Sequence, residues 1–175
     1  MDSRALSPEH HTAAEVVRLL QLEPLELEGG FFRRTAESEQ ALPGGRRTWS
    51  VIYFLFTPEA FSALHRLAAD EIWCFHSGDP LESLRLKPGG GSEWVKLGLN
   101  LTAGERPQDI VRVHTWQGTR LVSGGRWALV SCLVVPGFVW EDFELGHHEA
   151  LTAMYPEQTA GIRQLTRTQP AAGAK

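Results

Sequence analysis

Residues 62–80 read Ser62-Ala-Leu-His-Arg-Leu-Ala-Ala-Asp-Glu-Ile-Trp-Cys-Phe-His-Ser-Gly-Asp-Pro80. Two short runs, Ala63–Leu67 and Glu71–His76, flank a brief turn, and Gly78-Asp79-Pro80 closes the second run with turn chemistry. In an extended strand successive side chains alternate between faces, so Glu71, Trp73 and Phe75 share one face while Ile72, Cys74 and His76 share the other. If the aromatic face turns into a barrel, Glu71 turns in with it. A carboxylate among aromatic rings needs a charge or hydrogen-bond partner, or it stays protonated. His65, one strand back, is the nearest candidate by sequence.

The same texture extends outward. From Phe31 to Val135, short apolar or alternating runs are separated by Pro43-Gly44-Gly45, Ser77-Gly78-Asp79-Pro80, Pro88-Gly89-Gly90-Gly91 and Ser123-Gly124-Gly125, the pattern of an all-β sandwich or barrel. Thr48–Phe56 and Trp127–Val135 are apolar on both faces, as central strands are. The expected core is Ile52, Phe54, Leu84, Leu86, Val111, Leu129, Val130 and Leu133. Thr12-Ala-Ala-Glu15 has capping-box spacing and predicts a short helix ending before Pro24, and a second helix is expected over His147–Met154. Residues 1–11 are expected to be flexible, residues 12–160 to form one β domain, and residues 161–175 to be a partly disordered tail, with Gln169–Lys175 its disordered end.

Composition narrows the class. Apolar residues make up 42% of the 175, enough for a core. A net charge of −4 argues against a nucleic-acid partner, which a basic stripe would announce. Two cysteines, Cys74 and Cys132, make no disulfide framework, and no apolar run reaches membrane-spanning length, so a cytoplasmic protein without a membrane partner is expected.

His65, Glu71 and Gly78 stand where the first motif of the cupin superfamily, HxH-x3–4-E-x6-G, has its invariant positions. Gly104-Glu-Arg-Pro-Gln-Asp-Ile-Val-Arg-Val-His-Thr-Trp-Gln117 is a degraded counterpart of the second motif. Leu27-Glu-Gly-Gly-Phe-Phe-Arg33, Gly78-Asp-Pro-Leu81 and Pro136-Gly-Phe-Val-Trp-Glu-Asp-Phe-Glu-Leu145 add to a resemblance, over about residues 15–156, to a small branch of that superfamily classed as a domain of unknown function. The resemblance implies a double-stranded β-helix, or jelly-roll barrel, with a short helix near each end, commonly a homodimer. It does not imply a reaction, because fold does not fix function.

The departures carry as much weight. The resemblance assigns a metal to two histidines, one glutamate and a final histidine, but the second histidine position is Leu67 and the last is Gln117. Only His65 and Glu71 remain, with the Gln117 amide as a weak third donor, so no cofactor is expected beyond a weakly held divalent metal. The expected function is binding of a small polar molecule in an interior pocket. One alternative, implied by likeness to sugar-nucleotide epimerases, is proton transfer by a His65–Glu71 dyad, and another is a metal-dependent enzyme. His65, Glu71 and Gln117 are expected to converge, with Trp73, Phe75 and Trp116 beside them and Arg33, Arg47 and Tyr53 as further ligand contacts. The remaining tryptophans read as core, and the His147-His148 pair as surface, because adjacent helical residues diverge.

Overall fold

The computed structural model describes residues 5–167. Helix α1 (Ala13–Leu20) begins where Thr12 and Glu15 each satisfy the other's free backbone N–H, and Gln21 ends it in the left-handed conformation. The strands are β1 (Glu23–Pro24), β2 (Phe31–Glu37), β3 (Ser50–Phe56), β4 (Ser62–Arg66), β5 (Asp70–Gly78), β6 (Leu81–Leu86), β7 (Ser92–Leu97), β8 (Gln108–Val111), β9 (Trp116–Leu121), β10 (Ala128–Val135) and β11 (Glu144–Leu145). Helices α2 (His148–Met154) and α3 (Thr159–Leu165) complete the described chain.

Two antiparallel sheets, ordered β1-β2-β3-β10-β5-β8 and β11-β4-β9-β6-β7, face each other as a jelly-roll barrel. Strand parity explains why the central strands are apolar on both faces. Phe54 and Phe56 of β3, with Ala128, Val130 and Cys132 of β10, point into the barrel. Leu55 and Leu129, from the same two strands, point outward into a second cluster with Val16 of α1 and Trp127. On the other sheet Leu64, Leu84, Leu86 and Trp116 also turn outward, beneath α2 and α3.

The expected core therefore divides into three. Phe54, Val111 and Val130 fill the barrel, Leu84 and Leu86 lie under the C-terminal helices, and Leu129 lies under α1. Ile52 is half-buried on the inner face, and Leu133 is half-buried with the parity of the outer face.

Both ends make contacts that the expectation did not include. Residues 5–11 touch the barrel: Ser77 donates to the Leu6 carbonyl at 2.5 Å, Arg126 to the Pro8 carbonyl at 2.9 Å, and the Trp127 indole to the His11 carbonyl at 2.7 Å. Residues 161–165 belong to α3, whose Ile162 and Leu165 are fully buried against the second sheet. A seven-residue helix containing Gly161 has too little periodicity to stand out from a tail in the sequence. The disordered end expected over Gln169–Lys175 lies outside the described residues.

Because Leu165 sits in a fully enclosed site, Leu165→Ala is expected to cost about 2–5 kcal/mol in urea unfolding. Met154→Ala, at a largely exposed position of α2, should stay within about 0.5 kcal/mol of the parent.

Candidate functional site

A cavity of about 280 Å³ lies inside the barrel, walled by Phe32, Ile52 and Trp73 of the first sheet and by His65 and Leu67 from the second sheet's side. Phe138, Trp140 and Phe143, from the segment joining β10 to β11, close over it. Arg46 ties that strap down, donating from Nε to the Gly137 carbonyl at 2.8 Å and from Nη2 to the Pro136 carbonyl at 3.1 Å, and pairing with Asp142 at 2.7 Å. The Phe143 ring stacks on the His65 imidazole, centroids 5.1 Å apart.

A buried imidazole and two buried carboxyl groups line this cavity: His65 of β4, Glu71 of β5 and Glu28 of the β1–β2 turn. His65 Nδ1 lies 2.8 Å from the Ala63 carbonyl, which can only accept, so Nδ1 carries the hydrogen and Nε2 is the nitrogen left for exchange. Nε2 lies 3.8 Å from Glu71 Oε2 and 3.3 Å from Gln117 Nε2. The Gln117 amide also donates to Glu71, while its oxygen accepts from Arg85 Nη1 at 2.7 Å. The other Glu71 oxygen lies 3.6 Å from the Cys132 thiol. Glu28 accepts from the Ser62 hydroxyl at 2.6 Å. Its turn depends on Gly29, at φ 106°, where a Cβ would stand 2.1 Å from the Phe61 carbonyl.

Burial by itself disfavours a charged imidazole, but the charge of Glu28, together with the hydrogen bond and charge of Glu71, outweighs it and raises the His65 pKa to about 9. Burial pushes the Glu28 carboxyl up, against the pull of His65 and of the Ser62 hydroxyl. The two titrate as a coupled pair. Burial also drives the Cys132 thiol well above its usual range, so this cysteine is a proton donor and not a nucleophile.

His65, Glu71 and Gln117 thus come together; His65, Glu71 and Trp73 line the cavity, and Gln117 lies outside its lining. The other expected contacts do not. Phe75 shares the inward face with Glu71 and Trp73 but packs in the barrel core outside the cavity lining. Trp116 has the opposite parity to Gln117 and lies beneath the C-terminal helices, with the Arg66 guanidinium over its ring. Tyr53 turns out toward α1 and meets His76 edge-on. Arg33 pairs in register with Tyr53 and reaches Gln21, so its neighbour Arg34 lines the cavity instead. Arg47 bonds the Glu39 carbonyl and Glu37 on the surface.

Sequence reading missed Glu28 and Arg85. Glu28 stood within the Leu27–Arg33 piece that carried the resemblance, and Arg85 shares strand parity with Leu81 and Ser83, an inward row with one charge in it.

The residues at the metal positions do not suit a metal. Leu67 offers no donor atom, the Gln117 oxygen is engaged by Arg85, and the amide nitrogen, which donates to Glu71, is the end that faces His65. Among the described residues, no three His, Cys, Asp or Glu side chains are arranged to hold a metal ion. The indole N–H of Trp73, buried on the cavity lining, meets no acceptor among the described residues. No helix among the described residues is long and apolar enough to cross a membrane.

The family model described as Cupin superfamily (DUF985) matches residues 14–146. A crystal structure of a Shewanella oneidensis protein is 42% identical, covers 91% of this chain and 99% of its own, and superposes with a TM-score of 0.85. A hypothetical protein from Leishmania major is 33% identical over 90% of this chain and 100% of its own, with a TM-score of 0.83. An oxalate decarboxylase variant from Bacillus subtilis covers 87% of this chain and 42% of its own at 13% identity and a TM-score of 0.53, a likeness of fold alone. No curated protein matches the chain.

The coupling of His65 to Glu28 has a measurable sign. A pKa raised from the ordinary 6.5 to about 9 contributes stability that is fully present below 6.5 and is lost as pH rises through 9. Nitrogen-detected NMR of the imidazole should place the midpoint near 9, and Glu28→Gln should lower it by about one pH unit or more. The variant's urea midpoint should correspondingly fall less than the parent's between pH 6.5 and 9.

Proposed function

The chain belongs to the cupin superfamily, in the family described as DUF985, and on that footing we propose that its barrel binds one compact organic molecule and exchanges a proton with it. The observation that carries this reading is that the His65 imidazole and the Glu28 and Glu71 carboxyl groups are all buried on the lining of one cavity. Burying such groups together is expensive for stability, and such clusters concentrate at sites that need shifted pKa values.

The pocket's dimensions and lining suggest the class of ligand. About 280 Å³ is at the small end of ligand sites, room for a single ring or a short chain. The aromatic walls suit the apolar face of such a ring, as in a sugar derivative. The unpaired Trp73 N–H calls for an acceptor oxygen, since a buried donor left unmade costs about 1–3 kcal/mol. In the proton-transfer reading, a C–H bond next to a carbonyl breaks, its proton passes to a basic group of the trio, and a proton is returned to the carbon or the oxygen. His65 Nε2 and the Glu28 carboxyl, both on the cavity lining, are the groups this reading assigns to the transfer.

A second reading, binding without reaction, is favoured by a different observation. Tyr53, expected as a further ligand contact, lies outside the pocket, and most of the lining beyond the trio is aliphatic or aromatic.

One experiment separates the two. Purified protein is screened by thermal shift against aldoses, ketoses and hydroxy acids, and molecules that stabilise it are incubated in D₂O and followed by NMR. The reaction reading expects deuterium to enter at carbon, with His65→Asn slowing this by at least about 100-fold. Stabilisation without exchange selects the binding reading. If Glu28→Gln and Trp73→Phe leave the stabilisation unchanged, the ligand sits elsewhere and both readings fail.

A further inference from the structure

His65, Gln117 and Arg85 form a row across three neighbouring strands of the second sheet: Gln117 of β9 is in register with His65 of β4 on one side and with Arg85 of β6 on the other. Arg85 is only 3% exposed, and its guanidinium brings a positive charge into the barrel. Its charge is met by Asp109, at 2.7 Å from Nη2 and 3.2 Å from Nε, and by the Gln117 oxygen at 2.7 Å from Nη1. That last bond fixes the amide so that its nitrogen donates to Glu71 and lies 3.3 Å from His65 Nε2. The positive end of the dipole therefore points at the two surviving metal-type residues, with a cation behind it.

We propose that Arg85, both through Gln117 and by its own placement, fills the place in this barrel's charge balance that a metal ion would fill, and so excludes metal cations from the His65–Glu71 site. Loss of two ligands at positions 67 and 117 is then only part of the departure. Asp109 meets Arg85 on its Nε and Nη2 edge while Nη1 faces Gln117, so the positive end of the pair is turned toward the site and opposes a divalent cation there. The inference stands whether the pocket's ligand reacts or is merely held.

The test uses the untagged full-length chain, dialysed metal-free and titrated with Zn²⁺ and Ni²⁺ by calorimetry, with metal content read by elemental analysis. Wild-type protein is expected to retain less than about a tenth of an equivalent. L67H/Q117H restores the imidazoles and should bind weakly. Adding R85M and D109N together, so that no buried charge is orphaned, should tighten binding by at least about 100-fold at one metal per chain. Equal affinity of L67H/Q117H with and without R85M/D109N overturns the proposal. So does one tightly held transition metal per wild-type chain, a result that needs no variant to fold. R85M/D109N in the otherwise native chain supplies a milder arm, in which Ni²⁺ binding at His65 and Glu71 should strengthen about tenfold; no change there counts against the role of Arg85.

Discussion

A line of polar groups crosses the inside of this barrel, from Asp109 through Arg85 and Gln117 to Glu71 and His65. Charges taken out of water are tolerated only when each finds its partner with good geometry, and here the partners come from β8, β6, β9, β5 and β4. Two of those strands lie in one sheet and three in the other. A slip of one residue in any of them would reverse its inward face and leave a charge stranded. The line therefore does more than furnish a pocket. It ties the mutual register of the two sheets to one arrangement, which apolar side chains of similar size would specify less strictly.

Around that line, the fold solves a covering problem. Both sheets carry apolar clusters on their outer faces, so each needs a lid of its own. The capped helix α1 and the N-terminal arm cover the first sheet, and α2 with α3 covers the second. The barrel mouth is closed by a third device, the aromatic strap from Phe138 to Phe143, held by Arg46. The result separates stability from chemistry: the outer clusters are apolar, and the ionisable groups gather where the strap meets the floor.

Much of this was legible from strand parity. The alternation through Glu71, Trp73 and Phe75 gave the inward face correctly, and motif spacing brought His65, Glu71 and Gln117 to one place. Parity is also where the reading failed. Arg33 and Arg34 are adjacent, and nothing in the residues themselves says which one turns inward; the register with β3 decides it. Trp116 and Gln117 pose the same problem, and there the larger ring went to the outer cluster. Glu28 was invisible for another reason. It belongs to no strand, and its position depends on a glycine turn whose shape is set by tertiary contacts with Phe61 and Phe54. Short elements such as α3 carry too few residues to display a period, so their burial is visible only once the sheet they cover is in place.

The strand order has a bearing on how the chain comes into being. β10, made late, belongs between β3 and β5, both made early. Until residue 135 leaves the ribosome, β3 and β5 each lack the neighbour that β10 supplies, and each exposes a row of unpaired N–H and C=O groups. Most of the barrel's pairings span long stretches of sequence, which places such chains among the slower folders. The nascent chain thus passes through an interval in which its most aggregation-prone edges are open, and the arrival of a single strand ends it.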